Sequence, residues 1–192
     1  MNGPESPAAG SPQESRARST TSTANTILPG VVVVMGVSGS GKTYVGQAIA
    51  EQLGFAFFDA DDFHPYSNLT KMSEGIALSD SDRAPWLESL NNLLRSKQSE
   101  GVAVVLACSA LKRSYRSTLA AGLATVCFVH LDVPQPVIVA RVRDRRGHFA
   151  SSALVSSQFA DLEVPTDDEA TIIDADRPKE EVVEAVIAAL KK

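Results

Sequence analysis

Val31-Val32-Val33-Val34-Met35-Gly36-Val37-Ser38-Gly39-Ser40-Gly41-Lys42-Thr43 is the stretch on which the fold of this chain turns. Its first five residues form an unbroken, largely β-branched apolar run, the mark of a strand covered on both faces. Gly36 to Thr43 then match G-x-x-x-x-G-K-[ST] in full. Glycines at Gly36, Gly39 and Gly41 let the main chain curl around an anion, so that successive N–H groups, those of Ser38 and Ser40 among them, point inward. A helix starting near Gly41 adds the positive end of its dipole. Lys42 can reach β- and γ-phosphates, and the Thr43 hydroxyl can ligate Mg²⁺. A dinucleotide site fits less well, since it wants G-x-G-x-x-G and has no use for Gly-Lys-Thr. These residues predict a nucleoside triphosphate site.

Outward from this loop the chain alternates helix and strand. Thr43–Leu53 carries Val45, Ala48, Ile49 and Leu53 on one stripe and stops at Gly54. Phe55–Asp59 reads as a second strand. A helix capped by Asp80 or Asp82 follows, with Trp86, Leu90, Leu93 and Leu94 inward and Pro85 in its first turn. Val102–Ala107, Val126–Leu131 and Thr171–Asp174 are further strands, separated by helices over Ala110–Ala121 and Pro136–Arg146. Val182, Val183, Val186, Ile187 and Leu190 form the inner face of the last helix. Such alternation specifies a parallel sheet covered on both faces, an α/β fold. Between Gly147 and Pro165 the pattern weakens to one short helical stretch, Leu154–Leu162, and this segment is expected to be a lid.

The chain has 192 residues and a formal net charge of −5, enough for one domain and too acidic for a general binder of nucleic acid or anionic membrane. Any anionic ligand must be met by a local cluster of cations. No apolar run approaches the ~20 residues that span a bilayer. Residues 1–28 are rich in Ser, Thr, Pro and Gly, and are expected to be a disordered tail ahead of a domain at 29–192. An organellar targeting peptide is the alternative for that tail; Arg16 and Arg18 fit it, while Glu5 and Glu14 do not. A secretory signal is excluded by the lack of an apolar core segment, and a cytoplasmic location is expected.

Candidates for the chemistry lie behind the second and third strands. Asp59 and Asp61 alternate at the carboxyl edge of the second strand, where open α/β sheets bind ligands. One of these carboxylates can hold Mg²⁺ through water and the other can accept the proton of, or orient, an attacking alcohol. His64 alone is more often structural. Lys71, Arg83, Lys112, Arg113 and Arg116 place positive charge at the same edge. Lys112 and Arg116 share a helix face and Arg113 turns to solvent, a pattern that suggests an anionic acceptor such as a carboxylate. Arg141 and Arg145 are spaced to clamp ATP phosphates or stack on adenine, while Arg143 and Arg146 solubilise their helix. There is no N-K-x-D element for guanine, so a compact small-molecule kinase is favoured over a GTPase. A non-catalytic nucleotide-binding module is disfavoured by the acidic pair.

Taken together, MGVSGSGKT, DADDFHP, NLTKM, G-x-x-L-x-D-x-DR-x-PW, LACSALKRSYR, the stretch from Arg141 and Arg145 through Gly147-His148-Phe149, and SSQF-x-x-LE-x-P resemble the gluconate kinase (gluconokinase) family in order and spacing, from about Val31 to Lys192. The resemblance implies a P-loop NTPase fold of three α/β/α layers. Its five-stranded parallel sheet would run in the order 2-3-1-4-5, of the nucleoside-monophosphate and shikimate kinase type, with a small lid. It also implies ATP- and Mg²⁺-dependent phosphorylation of D-gluconate at its 6-hydroxyl, feeding the pentose phosphate pathway, commonly by a homodimer. Carried over residue by residue, Lys42, Asp61 and Arg145 become catalytic, with Asp61 as base or hydroxyl-orienting group. Thr43 and Asp59 become the metal-side groups. His64, Lys71, Arg83, Lys112, Arg116 and Gln158 become acceptor ligands, while Asp176 and Pro178 back the adenine. The chain departs from the family at Ser79, usually Asn, and at Tyr66-Ser67, basic in some relatives. A shikimate- or nucleotide-type kinase on the same scaffold is the alternative. The implied strand order sets Cys108 and Cys127 about 9–10 Å apart across the first strand, too far for a disulfide.

Overall fold

The computed structural model describes Leu28, residues 30–143 and residues 152–192. The rest of the tail, and the stretch with Arg145, Arg146, Gly147, His148 and Phe149, lie outside the described residues. Five strands, β1 (Val31–Met35), β2 (Ala56–Asp59), β3 (Val104–Ala107), β4 (Cys127–Asp132) and β5 (Thr171–Asp174), pair in parallel in the order β2-β3-β1-β4-β5. This is the order the family resemblance implies. Around the sheet pack α1 (Lys42–Leu53), α2 (Tyr66–Ser73), α3 (Asp80–Ser99), α4 (Arg113–Ala120), α5 (Gln135–Arg143), α6 (Ser152–Asp161) and α7 (Lys179–Leu190).

All five β1 residues are fully buried, as a strand covered on both faces requires. Val32 and Val34 meet Val45 and Ile49 of α1 and Val183 and Val186 of α7. Val31, Val33 and Met35 face Leu90 and Leu94 of α3 and Leu119 of α4 on the other side. These two apolar layers fix the strand ends, and with them the loop that leaves β1. Cys108 and Cys127 are free thiols with β1 between their strands, in keeping with the expectation of no disulfide. Burial pushes the Cys108 thiol up to about 12.

Several expected boundaries shift for local reasons. The cap of α3 is neither Asp80 nor Asp82 but Ser79, whose Oγ accepts from the Asp82 amide at 3.2 Å while Asp82 Oδ2 accepts from the Ser79 amide at 2.9 Å. This reciprocal box makes Asp82 the third helical residue. Asn, the residue the family resemblance implies here, caps a helix in the same way. The earlier start moves Pro85 into the second turn, where it withholds the N–H that would bond the Ser81 carbonyl. The third strand starts at Val104 because the chain turns through Gly101, leaving Val102 more than a third exposed. The basic helix begins at Arg113, not Ala110, because Ala110 takes a left-handed φ of 45°.

One helix escapes the periodicity argument altogether. In α2 the apolar Tyr66 and Leu69 are exposed and only Asn68 is buried, so it has no core-facing stripe to detect. Polar struts hold it instead: Asn68 Nδ2 donates to the Asp82 carbonyl at 2.9 Å and Lys71 Nζ donates to Asp82 Oδ1 at 2.7 Å.

Candidate active site

The loop from β1 to α1 has the geometry its sequence predicts. Gly36 lies at φ 141°, and a Cβ there would come within 3.0 Å of both the Leu131 carbonyl and Ser40 Oγ. Gly41 lies at φ 103°, directly before the first residue of α1, so the helix N-terminus opens into the curl. Gly39 shares this left-handed bias, and Ser40 is buried beneath the loop. Lys42 Nζ lies over the loop and donates to the Val37 carbonyl at 3.0 Å. The loop is thus a ring of main-chain groups crossed by one ammonium, an arrangement suited to a polyphosphate.

At the tip of β2 the two carboxylates separate in role. Asp59 Oδ2 accepts from the Thr43 hydroxyl at 2.8 Å, and Asp59 Oδ1 accepts from the Asp61 amide at 3.1 Å. Asp61, in the 3-10 turn Ala60–Phe63, is 89% exposed and faces open space. His64 stands 4.0 Å from Asp61 and stacks on the Trp86 ring at 4.3 Å. Burial lowers the His64 pKa; the nearby Asp61 works against that shift and Arg83 reinforces it. Trp86 Nε1 donates to the Ala60 carbonyl at 2.8 Å, locking this turn to α3.

His64 lies under the charge of both Asp61 and Arg83, and around Arg83 is a basin where cations and carboxylates alternate. Lys112 Nζ donates to Asp80 Oδ1 at 2.8 Å and Oδ2 at 3.1 Å. Arg83 Nη1 donates to the Tyr115 hydroxyl at 3.1 Å, and that hydroxyl donates to Asp80. The Lys112 ammonium, then the Tyr115 hydroxyl, hold the Asp80 pKa below the usual carboxylate range. Asp161, from α6, approaches both Arg83 and Lys112 at 3.8 Å. Arg83 and Lys112 thus come together as expected, while Tyr115, Asp80 and Asp161 are members the sequence did not single out.

Three expected acceptor ligands lie elsewhere. Arg116 is not on an open face with Lys112; it is only 5% exposed, donates to the carbonyls of Ala110, Leu111 and Glu163, and pairs with Glu169 at 3.1 Å. The shift of the helix start is the reason: with Lys112 in the cap position, the two residues no longer share a regular face. Arg113, expected to face solvent, keeps an exposed side chain but pairs with Glu169 at 2.5 Å. Lys71 is tied to Asp82 as the strut described above. Gln158 reaches the phosphate loop itself, its Oε1 accepting from the Ser38 amide at 2.6 Å.

On the far side of the loop a cleft of about 440 Å³ is lined by Gly39, Gly41, Arg141, Ala175, Pro178 and Lys179. Arg141 Nη2 donates to the Ala175 carbonyl at 3.1 Å and lies 3.5 Å from Asp176. Arg141, Asp176 and Pro178 therefore gather beside the loop; Arg145 lies outside the described residues. Arg177 and Lys179 join the lining without having been anticipated. No helix among the described residues is long and apolar enough to cross a membrane.

A family model described as an AAA domain matches residues 31–164. A gluconokinase of Gluconobacter oxydans (strain 621H) is 44% identical over 162 residues, spanning 84% of this chain and 91% of that protein. The crystal structure of a gluconokinase from Sinorhizobium meliloti 1021 superposes with a TM-score of 0.78 at 44% identity, covering 85% of this chain and 92% of the other. A shikimate kinase from Bacteroides thetaiotaomicron superposes with a TM-score of 0.59 at 20% identity, covering 84% and 98% respectively, a likeness of fold alone.

Proposed function

The chain belongs to the gluconokinase family, and from that premise we propose how its residues divide the labour of moving the γ-phosphoryl group of ATP to the 6-hydroxyl of D-gluconate. The reaction yields 6-phospho-D-gluconate and ADP. The main-chain amides of Gly36–Thr43 and the α1 N-terminus bind the phosphates, with Lys42 neutralising charge that builds on the γ-phosphoryl oxygens. Adenine occupies the cleft beside Arg141, Asp176 and Pro178. Arg83 and Lys112 take the gluconate carboxylate, and Asp61 orients the 6-hydroxyl and accepts its proton. His64, buried against Trp86, serves as the floor on which the acceptor rests.

The observation that carries this reading is an exposed Asp61 linked to the phosphate loop through Asp59 and Thr43, with His64 4.0 Å away and under the charge of both Asp61 and Arg83. Phosphoryl transfer needs little covalent help from the protein, so holding the alcohol in line is the main task. The Thr43 hydroxyl and the Asp59 carboxylate, 2.8 Å apart, are a hard oxygen set that fits Mg²⁺. Among the described residues no cage of three or more His, Cys, Asp or Glu side chains occurs, which suits a cation shared with substrate phosphates. Such an ion supplies neutralisation of the β- and γ-phosphate oxygens. Support for Arg145 as a second phosphate ligand is its place one turn beyond Arg141 in the sequence. A homodimer, a cytoplasmic location and a single kinase domain over 29–192 complete the proposal, all read from the family resemblance and the sequence.

Coupled measurement of ADP release with gluconate, other sugar acids, shikimate and nucleoside monophosphates tests the assignment. Turnover with gluconate well above all others is expected. Preference for shikimate or a nucleotide would move the chain to another acceptor, and ATP binding with no productive acceptor would make it a binding module.

A further inference from the structure

Helix α6 touches both substrate positions at once. Gln158 Oε1 accepts from the Ser38 amide at 2.6 Å, inside the ring of groups that faces a triphosphate. One turn on, the Asp161 carboxylate lies 3.8 Å from Arg83 Nη1 and 3.8 Å from Lys112 Nζ. A carbonyl oxygen thus sits on a phosphate ligand, and a carboxylate sits on the two cations assigned to the acceptor's carboxylate. We propose that Gln158 and Asp161 act together as internal stand-ins for the two substrates, so that nucleotide binding, by displacing Gln158, loosens Asp161 and raises the affinity for gluconate. The inference rests on the assignment of Arg83 and Lys112 to the gluconate carboxylate.

The contacts of Asp80 and Asp161 differ in a way this requires. Asp80 stands in the first turn of α3, held by Tyr115 and by two bonds to Lys112 of 2.8 and 3.1 Å, and is a fixed member of the basin. Asp161 is the last residue of α6 and reaches Lys112 only at 3.8 Å against 2.8 Å for Asp80, while Arg83 meets Asp161 and Asp80 at 3.8 and 3.9 Å. Lacking the Tyr115 and Lys112 bonds that fix Asp80, Asp161 is the exchangeable one. Beyond α6 the chain is pinned: the Glu163 amide donates to the Leu111 carbonyl at 3.0 Å, and Arg116 grips the Glu163 carbonyl at 3.1 Å. Val155, one turn before Gln158, is fully buried in the α1–α7 layer. Movement at Gln158 is therefore passed to Asp161 rather than dissipated along the chain. An incoming carboxylate replaces Asp161 with no net loss of charge pairing, whereas a neutral polyol would leave Asp80 as the one carboxylate shared by Arg83 and Lys112.

Binding of gluconate to the full chain, measured calorimetrically with and without the β,γ-imido analogue of ATP in Mg²⁺ buffer, tests the proposal. In the wild type the analogue should tighten gluconate binding several-fold, and gluconate should tighten the analogue by the same factor. Asp161→Asn should bind gluconate about two- to fivefold more tightly without nucleotide, the range of an exposed ion pair, and should respond less to the analogue. Gln158→Ala should bind the analogue at least as well as wild type and likewise lose the coupling. A merely structural role predicts weaker binding in both variants. Equal gluconate affinity with and without analogue in the wild type, or weakened affinity in Asp161→Asn, overturns the proposal. Arg83→Gln separates the two ideas: if it loses gluconate while wild type shows no coupling, the acceptor site stands and the stand-in role falls. If Arg83→Gln binds gluconate normally, both fall.

Discussion

The two halves of the active site are made in different ways. The phosphate side is one contiguous run, Gly36 to Thr43, in which main-chain groups do the binding and the side chains chiefly permit the backbone its curl. The proposed acceptor side is assembled from side chains of α3, α6, the cap and body of α4 and the turn after β2, up to a hundred residues apart. A backbone site is insensitive to side-chain substitution outside its glycines, Lys42 and Thr43. A side-chain site can be retuned one contact at a time. The same scaffold can therefore keep its nucleotide site while changing its acceptor site.

The sharpest way to break this contrast is Lys42→Ala. It should lower kcat about 10²–10³-fold with the circular dichroism melt unchanged; retained turnover would mean that the phosphates lie elsewhere. Asp61→Asn keeps shape and removes the basic oxygen, so kcat should fall about 10²-fold while the KM for ATP barely moves. A rise confined to the gluconate KM would make Asp61 a binding contact instead. Arg83→Gln should raise the gluconate KM about tenfold or more, the worth of a charged hydrogen bond, and leave the ATP KM alone.

Arg116→Met probes the boundary between site and scaffold. Its guanidinium is buried and held by three carbonyls and Glu169, so removal should destabilise the fold by about 3 kcal/mol, read as a lowered Tm. The folded variant should keep a normal gluconate KM, because the side chain does not face the basin. Acidification gives the smallest effect. Burial lowers the pKa of both His64 and His130, and His130 Nδ1 has no hydrogen-bond partner among the described residues. The unfolded chain therefore protonates first as pH falls below about 6.5. Stability is full above that value and declines towards the depressed folded pKa values. Thermal melts at pH 7.5 and 5.5 should differ by a few degrees, and His130→Gln should shrink the difference.

What could be read from the sequence follows the same division. The sheet and the loop were legible because strand burial and a phosphate loop leave contiguous marks. The expected alternation of Asp59 and Asp61 along one strand instead gives way to a turn, β2 ending at Asp59 and Asp61 lying in Ala60–Phe63. The helix α2 was not legible, since Asn68 and Lys71 hold it by polar struts and no apolar stripe betrays it. Nor was the reversal at Arg116: one left-handed residue, Ala110, moved the helix start and turned a presumed surface cation inward. Asp80 and Asp161 were overlooked because a carboxylate reveals its partner only when segments 32 and 49 residues from Lys112 are brought together with it. The D-x-D-R string at Asp80–Arg83 did carry a signal, since its first carboxylate pairs with Lys112 and its second completes the capping box of Ser79.

Trp86 is the chain's single tryptophan, and it lies with its indole flat against His64 and its Nε1 tied to the residue between Asp59 and Asp61. The protein is thereby fitted with its own optical gauge. Excited at the red edge of its absorption, which spares Tyr44, Tyr66 and Tyr115, the indole emits with no dye attached and reports from beside His64 and the Asp59–Asp61 turn. Titrating a sugar acid into the unlabelled enzyme should change that glow in proportion to occupancy.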